Sequence, residues 1–301
     1  MSFGISDRIL KLSLRPVKMT KRKVISASRR TDLVAFFPEW FSSVLKEEKA
    51  VVFGPKKNVY SVNLEPRSVH TMVLWSKNFS NLIRDRFNLL TLLGKYDQVF
   101  CHFTITGLGG SDIEKKVPSP TMAFEQVGRL AGIIGGPERI TIRFDPVVYW
   151  KEKGKIRSNL HFFKELAIRC QSSGVHDVRF SFAQWYPKAK RRSGKMNFPY
   201  IDPSLEQKRK DAVYLKEIAE MRNLRLFSCS QAFLENIPGI KPSACIDGEH
   251  LQELHPDHLD VSKKKDKSQR KECRCSESVD IGSYTLCCPH SCLYCYANPR
   301  L

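Results

Sequence analysis

The chain has 301 residues, 42% hydrophobic and 27% charged, with a formal net charge of +19 and ten cysteines. It can bury a sizeable core as one α/β unit without covalent staples, and no apolar run approaches the ~18 residues needed to cross a bilayer. A membrane protein and a disulfide-stapled miniprotein are therefore excluded; a cytoplasmic location is expected, and in that reducing compartment clustered cysteines point to metal.

Residues 1–23 carry seven Lys/Arg and one acid and lack the apolar stretch of a secretory signal. They read as a basic N-terminal extension: a disordered leader, sequence upstream of a start at Met19, or a transit peptide. From Val24 onward, β-branched and aromatic runs predict strands at 24–28, 70–76, 98–106, 139–146, 177–184 and 224–230, bounded by turn residues as strands are. Between them, helical periodicity predicts helices at 39–48, 80–93, 121–134, 159–170 and 204–221, with Ser80, Thr121 and Ser204 as N-caps. Lys49 to Leu64, with "GPKKN" at its middle, reads as an inserted hairpin.

The order βαβαβα favours a parallel sheet with right-handed crossovers. Residues 24–235 are thus expected to form a partial, open TIM-like barrel of about six β/α units, with a flat doubly wound sheet as the alternative. After the first strand stands "SASRRTD" instead of a glycine-rich fingerprint, so a dinucleotide site has no support. Residues 236–301 lose periodicity and gain Cys, Gly, Pro and charge. This Cys-rich segment is expected to be organised by metal and to pack on the barrel.

Two further basic runs, 188–195 and 263–271, suit either a solvated surface or a nucleic acid or other polyanion. Chemistry in parallel α/β folds gathers at the C-terminal strand ends. Those ends carry Arg29, Arg30, Thr31 and Asp32, then Lys77 and Asn78, the glycine-rich stretch Gly107 to Glu114, and Arg143 with Asp145. Arg29, Arg30, Lys77 and Arg143 would suit a carboxylate or phosphate, although ion pairs across the barrel would also explain charged rim residues.

Cys101 and Cys170 fall on apolar faces and read as core. Cys288, Cys292 and Cys295 have C-x3-C-x2-C spacing. Three such thiolates can hold three irons of a cubane and leave the fourth open, and soft thiolates such as Cys273, Cys275, Cys292 and Cys295 would equally suit zinc. Of the tandem Cys287 and Cys288, the latter preserves the three-residue interval. Cys229, Cys245, Cys273 and Cys275 could form a second closed site, iron–sulfur or zinc.

The stretch "CPHSCLYC" matches the radical S-adenosylmethionine motif, including the aromatic residue before the last cysteine. From Val24 to Asn298 the chain resembles the DUF1848 family, through "ISASRRTD", "LWSKN", "RFDPV" and "DKSQRKECRCSESVDIGSYTLCCPHSCLYCYAN". "RFDP" is also similar to a short stretch of spore photolyases, radical enzymes acting on DNA. The resemblance implies a barrel with a 4Fe–4S cluster on Cys288, Cys292 and Cys295, and Tyr294 packed beside it. It also implies S-adenosylmethionine bound through the open iron and cleaved reductively to a 5'-deoxyadenosyl radical, with flavodoxin or ferredoxin as electron donor. Arg29, Thr31, Asp32, Lys77, Asn78, Arg143, Asp145 and the Gly107–Glu114 stretch would then contact cofactor or substrate, the latter a nucleic acid or nucleotide on the basic charge. The rival expectations are a zinc-stabilised nucleic-acid-binding protein and an iron–sulfur electron-transfer or sensor protein without radical chemistry.

Overall fold

In the computed structural model, which describes residues 21–54, 58–297 and 299, each β-branched run becomes a strand of one sheet. β1 (Lys23–Ala27), β2 (Val69–Ser76), β3 (Val99–Thr104), β4 (Ile140–Val147), β5 (Asp177–Phe182) and β6 (Arg225–Ser228) follow one another across it. β7 (Ile240–Pro242) pairs with β6 at one edge and β8 (Val279–Asp280) with β1 at the other. Every pairing among the eight is parallel. The six long strands never reverse order, which excludes the doubly wound alternative. β7 and β8 do not pair with each other, so the sheet is open.

Both edge strands come from the chain after Phe233. Residues 1–20 of the basic extension and residues 55–57 lie outside the described residues; the expected hairpin strands, Lys49–Phe53 and Val59–Asn63, pair antiparallel. A second hairpin, Tyr149–Glu152 with Lys155–Ser158, was not anticipated.

The principal helices are α1 (Pro38–Lys46), α2 (Pro120–Ile134), α3 (Phe163–Ser172), α4 (Pro187–Lys195), α5 (Leu205–Met221) and α6 (Gly248–Leu254). Ser204 caps α5 as expected, accepting from the Gln207 N–H at 3.1 Å. Ser119, not Thr121, caps α2, because Pro120 is best placed as its first residue. The helix expected over 80–93 is broken into Ser80–Ile83 and Leu89–Leu93 by positive φ at Asp85, Phe87 and Asn88. Asp85 is the physical cause: its carboxylate accepts the Leu90 and Thr91 N–H groups at 2.7 and 3.2 Å, and such local bonds compete with a continuous helix. Ser80 likewise lies inside the first piece, its N–H donating to the Asn78 side chain at 3.0 Å.

Strand residues alternate between two buried faces, as in parallel sheets covered on both sides. Ile25, Ala27, Met72, Leu74, Cys101, Phe103, Phe144 and Phe180 belong to the large core that includes the helices, as does Cys170 of α3. Val24, Val73, Trp75 and Phe100 face the other way and pack with Ile246, Leu251 and Val261 of the C-terminal segment. That segment has little regular structure, and side chains from the sheet pair several of its backbone carbonyls. Gln98 donates to the Leu251 carbonyl at 2.9 Å, Arg179 to the Ala244 carbonyl at 3.2 Å, and ring nitrogens of His102 and His70 lie 2.7 and 2.8 Å from the carbonyls of Cys245 and Leu259. No helix among the described residues is long and apolar enough to cross a membrane.

His70 and His255 stack within this contact, ring centroids 4.6 Å apart. Burial lowers both pKa values, and the neighbouring His255 and Arg22 reinforce it for His70, against the Leu259 carbonyl and Asp260. The unfolded chain therefore binds more protons below its imidazole pKa of ~6.5, and stability falls as pH drops through that value. Thermal unfolding should begin at a lower temperature at about pH 5.5 than at about pH 7.5. An unchanged pH response in His70→Gln/His255→Gln would contradict this origin.

Candidate metal centre

Beyond β8 the chain turns so close to β1 that a Cβ on Gly282 would stand 1.9 Å from Ser28 Oγ. It then enters the loop of Cys288, Cys292 and Cys295, which is fastened from the sheet side at several points. His290 places Nε2 2.8 Å from the Asp32 carboxylate and Nδ1 3.1 Å from the Lys116 carbonyl. Asp32 also accepts the Ser76 hydroxyl at 2.8 Å and the Lys77 and Ala35 N–H groups at 2.9 Å. The Leu293 N–H donates to the Ile113 carbonyl at 3.1 Å, and the Tyr294 hydroxyl donates to Glu114.

The opposite fastening comes from α4. Its Arg192, 7% exposed, donates to the carbonyls of Cys292, Leu293 and Cys295 at 3.3, 2.8 and 2.9 Å and to that of Ala297 at 3.4 Å. The basic run 188–195 is thus a helix, begun by Pro187, whose central arginine is internal while Lys190, Arg191 and Lys195 stay exposed.

The three loop thiols share one electrostatic neighbourhood. Burial pushes Cys292 well above the usual thiol range, with Lys77 opposing, and pushes Cys288 up to about 11. Burial likewise raises Cys295, against Arg192 and Lys77. Burial opposes the charge on Lys77 too, but Glu114, 2.8 Å away, outweighs it and holds the ammonium. Deprotonated thiols here would call for a bound cation, which is what metal ligation supplies.

A cleft of about 240 Å³ opens at these strand ends. Of the residues expected at a site, Arg29, Lys77, Arg143, Asp145 and Tyr294 line it, together with the thiols of Cys229, Cys245, Cys273, Cys275 and Cys295. Thr31, Asp32, Asn78, Gly107 and Glu114 are not among the lining residues. Asp32 and Glu114 are anchors, and Asn78 holds the Ser80 N–H. Gly107 has φ +78°, and a Cβ there would lie 2.4 Å from the Phe162 ring. Thr31 is buried with no partner for its hydroxyl. Arg143 pairs with Asp145 on its own strand instead of across the sheet, and Ser181 donates to Asp145.

Trp75, Ser181 and Tyr296 also line the cleft. The Trp75 ring lies 5.4 Å from the Arg29 guanidinium and 5.0 Å from that of Arg143, so it orders both cations. The Tyr296 hydroxyl donates to the Arg29 carbonyl at 2.7 Å. Asp280 of β8 accepts the Arg29 N–H at 2.9 Å and the Ser26 hydroxyl at 2.8 Å. Trp75 and Tyr296 were legible as aromatics flanking "SKN" and the last cysteine; Arg192 and Asp280 carried no local signal.

Among the described residues no three His, Cys, Asp or Glu side chains are drawn around one point as a bound ion would draw them. The donor chemistry nevertheless fits a soft metal: three thiols on one short loop, Cys292 buried and Cys288 and Cys295 partly so, beside a cation able to offset thiolate charge.

An open parallel α/β sheet with a cysteine-lined cleft at its strand ends defines the class. The family model "Domain of unknown function (DUF1848)" matches residues 24–297, and the chain belongs to that family. No curated protein matches the chain.

Replacing Arg192 with alanine should leave the loop carbonyls unpaired and raise amide exchange across 292–297 at least about tenfold, since a charged hydrogen bond contributes ~1.5–3 kcal/mol. Arg192→Lys should recover only part, lacking the planar fork. Asp32→Ala, which strands several buried donors, should cost about 2–4 kcal/mol in urea unfolding.

Proposed function

We propose that this chain is a radical S-adenosylmethionine enzyme, with Cys288, Cys292 and Cys295 holding three irons of a 4Fe–4S cluster. The observation that carries the reading is the C-x3-C-x2-C loop, pinned by Asp32–His290 and by Arg192, at the edge of a cleft ringed by arginine and lysine. When bound, the cluster and S-adenosylmethionine would together supply a 5'-deoxyadenosyl radical, given one electron from a flavodoxin- or ferredoxin-like donor.

The protein's own groups have separable tasks. Lys77, kept charged by Glu114, offsets negative charge at the loop thiolates. Arg29 and Arg143, ordered on Trp75, offer guanidinium forks to a carboxylate or phosphate. Asp145 can accept from an amino or hydroxyl group, and Tyr294 excludes water from the cysteine loop. We read the sheet as a partial barrel of six β/α units, supported by the unreversed strand order and by the C-terminal segment filling the face that helices leave open.

The substrate is read as anionic with a planar ring, a nucleotide or nucleic acid. A second cavity of about 560 Å³ shares Tyr186, Gln269, Arg270 and Tyr296 with the cleft and adds Lys188 and Arg191. It forms an outer mouth of cations and aromatics, suited to phosphate and base stacking.

Anaerobically purified protein should be brown, contain at least about four irons with matching sulfide, and change its spectrum on adding S-adenosylmethionine. Cys292→Ala should abolish that change. Arg143→Ala should keep the iron and weaken the response at least about tenfold, the worth of one charged hydrogen bond. Zinc without sulfide would overturn the reading in favour of a zinc-stabilised nucleic-acid binder, and a cluster indifferent to S-adenosylmethionine would favour electron transfer.

A further inference from the structure

Cys229, Cys245, Cys273 and Cys275 are separated in sequence yet meet in space. Cys229 follows β6, Cys245 lies between β7 and α6, and the other two lie in the irregular chain before β8. The sulfurs of Cys229 and Cys245 are 3.8 Å apart, all four cysteines line the same cleft, and Cys245, Cys273 and Cys275 pack in one buried cluster with Cys229 against it. Cys245, Cys273 and Cys275 are 7%, 8% and 3% exposed, so three of the four are screened from solvent.

We propose that these four cysteines form a second, closed thiolate centre that takes a zinc ion or an iron–sulfur cluster, separate from the cysteine loop. Packing alone does not account for the arrangement. A cysteine filling an apolar gap is surrounded by hydrocarbon, as Cys101 and Cys170 are, whereas Cys229 and Cys245 meet through sulfur and all four cysteines face one cleft. Two thiolates bound tetrahedrally at ~2.3 Å stand ~3.8 Å apart, the separation of Cys229 and Cys245. The Ile246 N–H points at Cys275 Sγ at 3.4 Å, the kind of backbone hydrogen bond that supports ligating sulfur.

Charge is provided for as well. Four thiolates around a divalent ion carry net negative charge, and Arg29 and Arg143 line the same cleft as the four thiols. Metal entry would release the thiol protons to solvent and draw the four sulfurs into one shell. Four protein ligands leave no open position, so the centre would tie the C-terminal segment to the strand ends and wall the cleft without activating substrate.

The test uses the full chain carrying Cys288→Ser, Cys292→Ser and Cys295→Ser, purified anaerobically after growth with iron and zinc, with folding checked by circular dichroism. About one zinc per chain, or iron with equal sulfide, should remain in all-sulfur coordination by X-ray absorption. Adding Cys245→Ser and Cys275→Ser should remove that metal. If those substitutions prevent folding, chelation of the loop variant decides: metal release should raise amide exchange across 240–280 at least about tenfold, as loss of a structural tie would. A folded loop variant without metal, or metal retained after the Cys245 and Cys275 substitutions, would overturn the proposal. Neither result depends on S-adenosylmethionine, so failure of the radical reading would be seen separately.

Discussion

One buried carboxylate ties the molecule together at the end where its chemistry is expected. Asp32 accepts from the first turn after β1, from the hydroxyl and backbone at the end of β2, and faces His290 of the cysteine loop. A carboxylate has about four acceptor positions, and satisfying them from three separate segments makes the position of each depend on the others. The loop is thereby referenced to the strand ends and not to its own weak local structure.

The second constraint is the uncovered face of the sheet. Helices bury one side, and the other carries Val73, Trp75 and Phe100 interleaved with His102, Arg143 and Arg179. Polar residues on a buried face need partners, and an irregular segment has free carbonyls to supply them. This mutual need explains how a stretch with only short strands and one short helix after Phe233 is nevertheless ordered. It also explains why the cations of the cleft and the thiols of the same segment come to share one space.

Within the cleft, charge is arranged in pairs that leave a positive surplus. Lys77 is matched by Glu114 and Arg143 by Asp145, while Arg29 is held on Trp75 and through its backbone by Asp280. Buried cations of this kind are stable only beside negative partners, and the nearby thiols become such partners when ionised. The two cysteine groups and the arginines are thus electrically complementary.

The sequence by itself determined the six long strands, most helices and the loop of Cys288, Cys292 and Cys295, because each is encoded by residues close together in the chain. It also marked Arg29, Lys77, Arg143 and Asp145, since strand ends are predictable once strands are. The break at Asp85 and the capping of α2 by Ser119 were misread where short-range hydrogen bonding or one proline outweighed composition. Tertiary structure alone decided that Arg192 grips a loop 100 residues away, that Asp32 and Glu114 are anchors, and that Cys229 meets Cys245, Cys273 and Cys275. Those contacts join segments with no local preference for one another, and only the register of the sheet and the path of the segment across it bring them together.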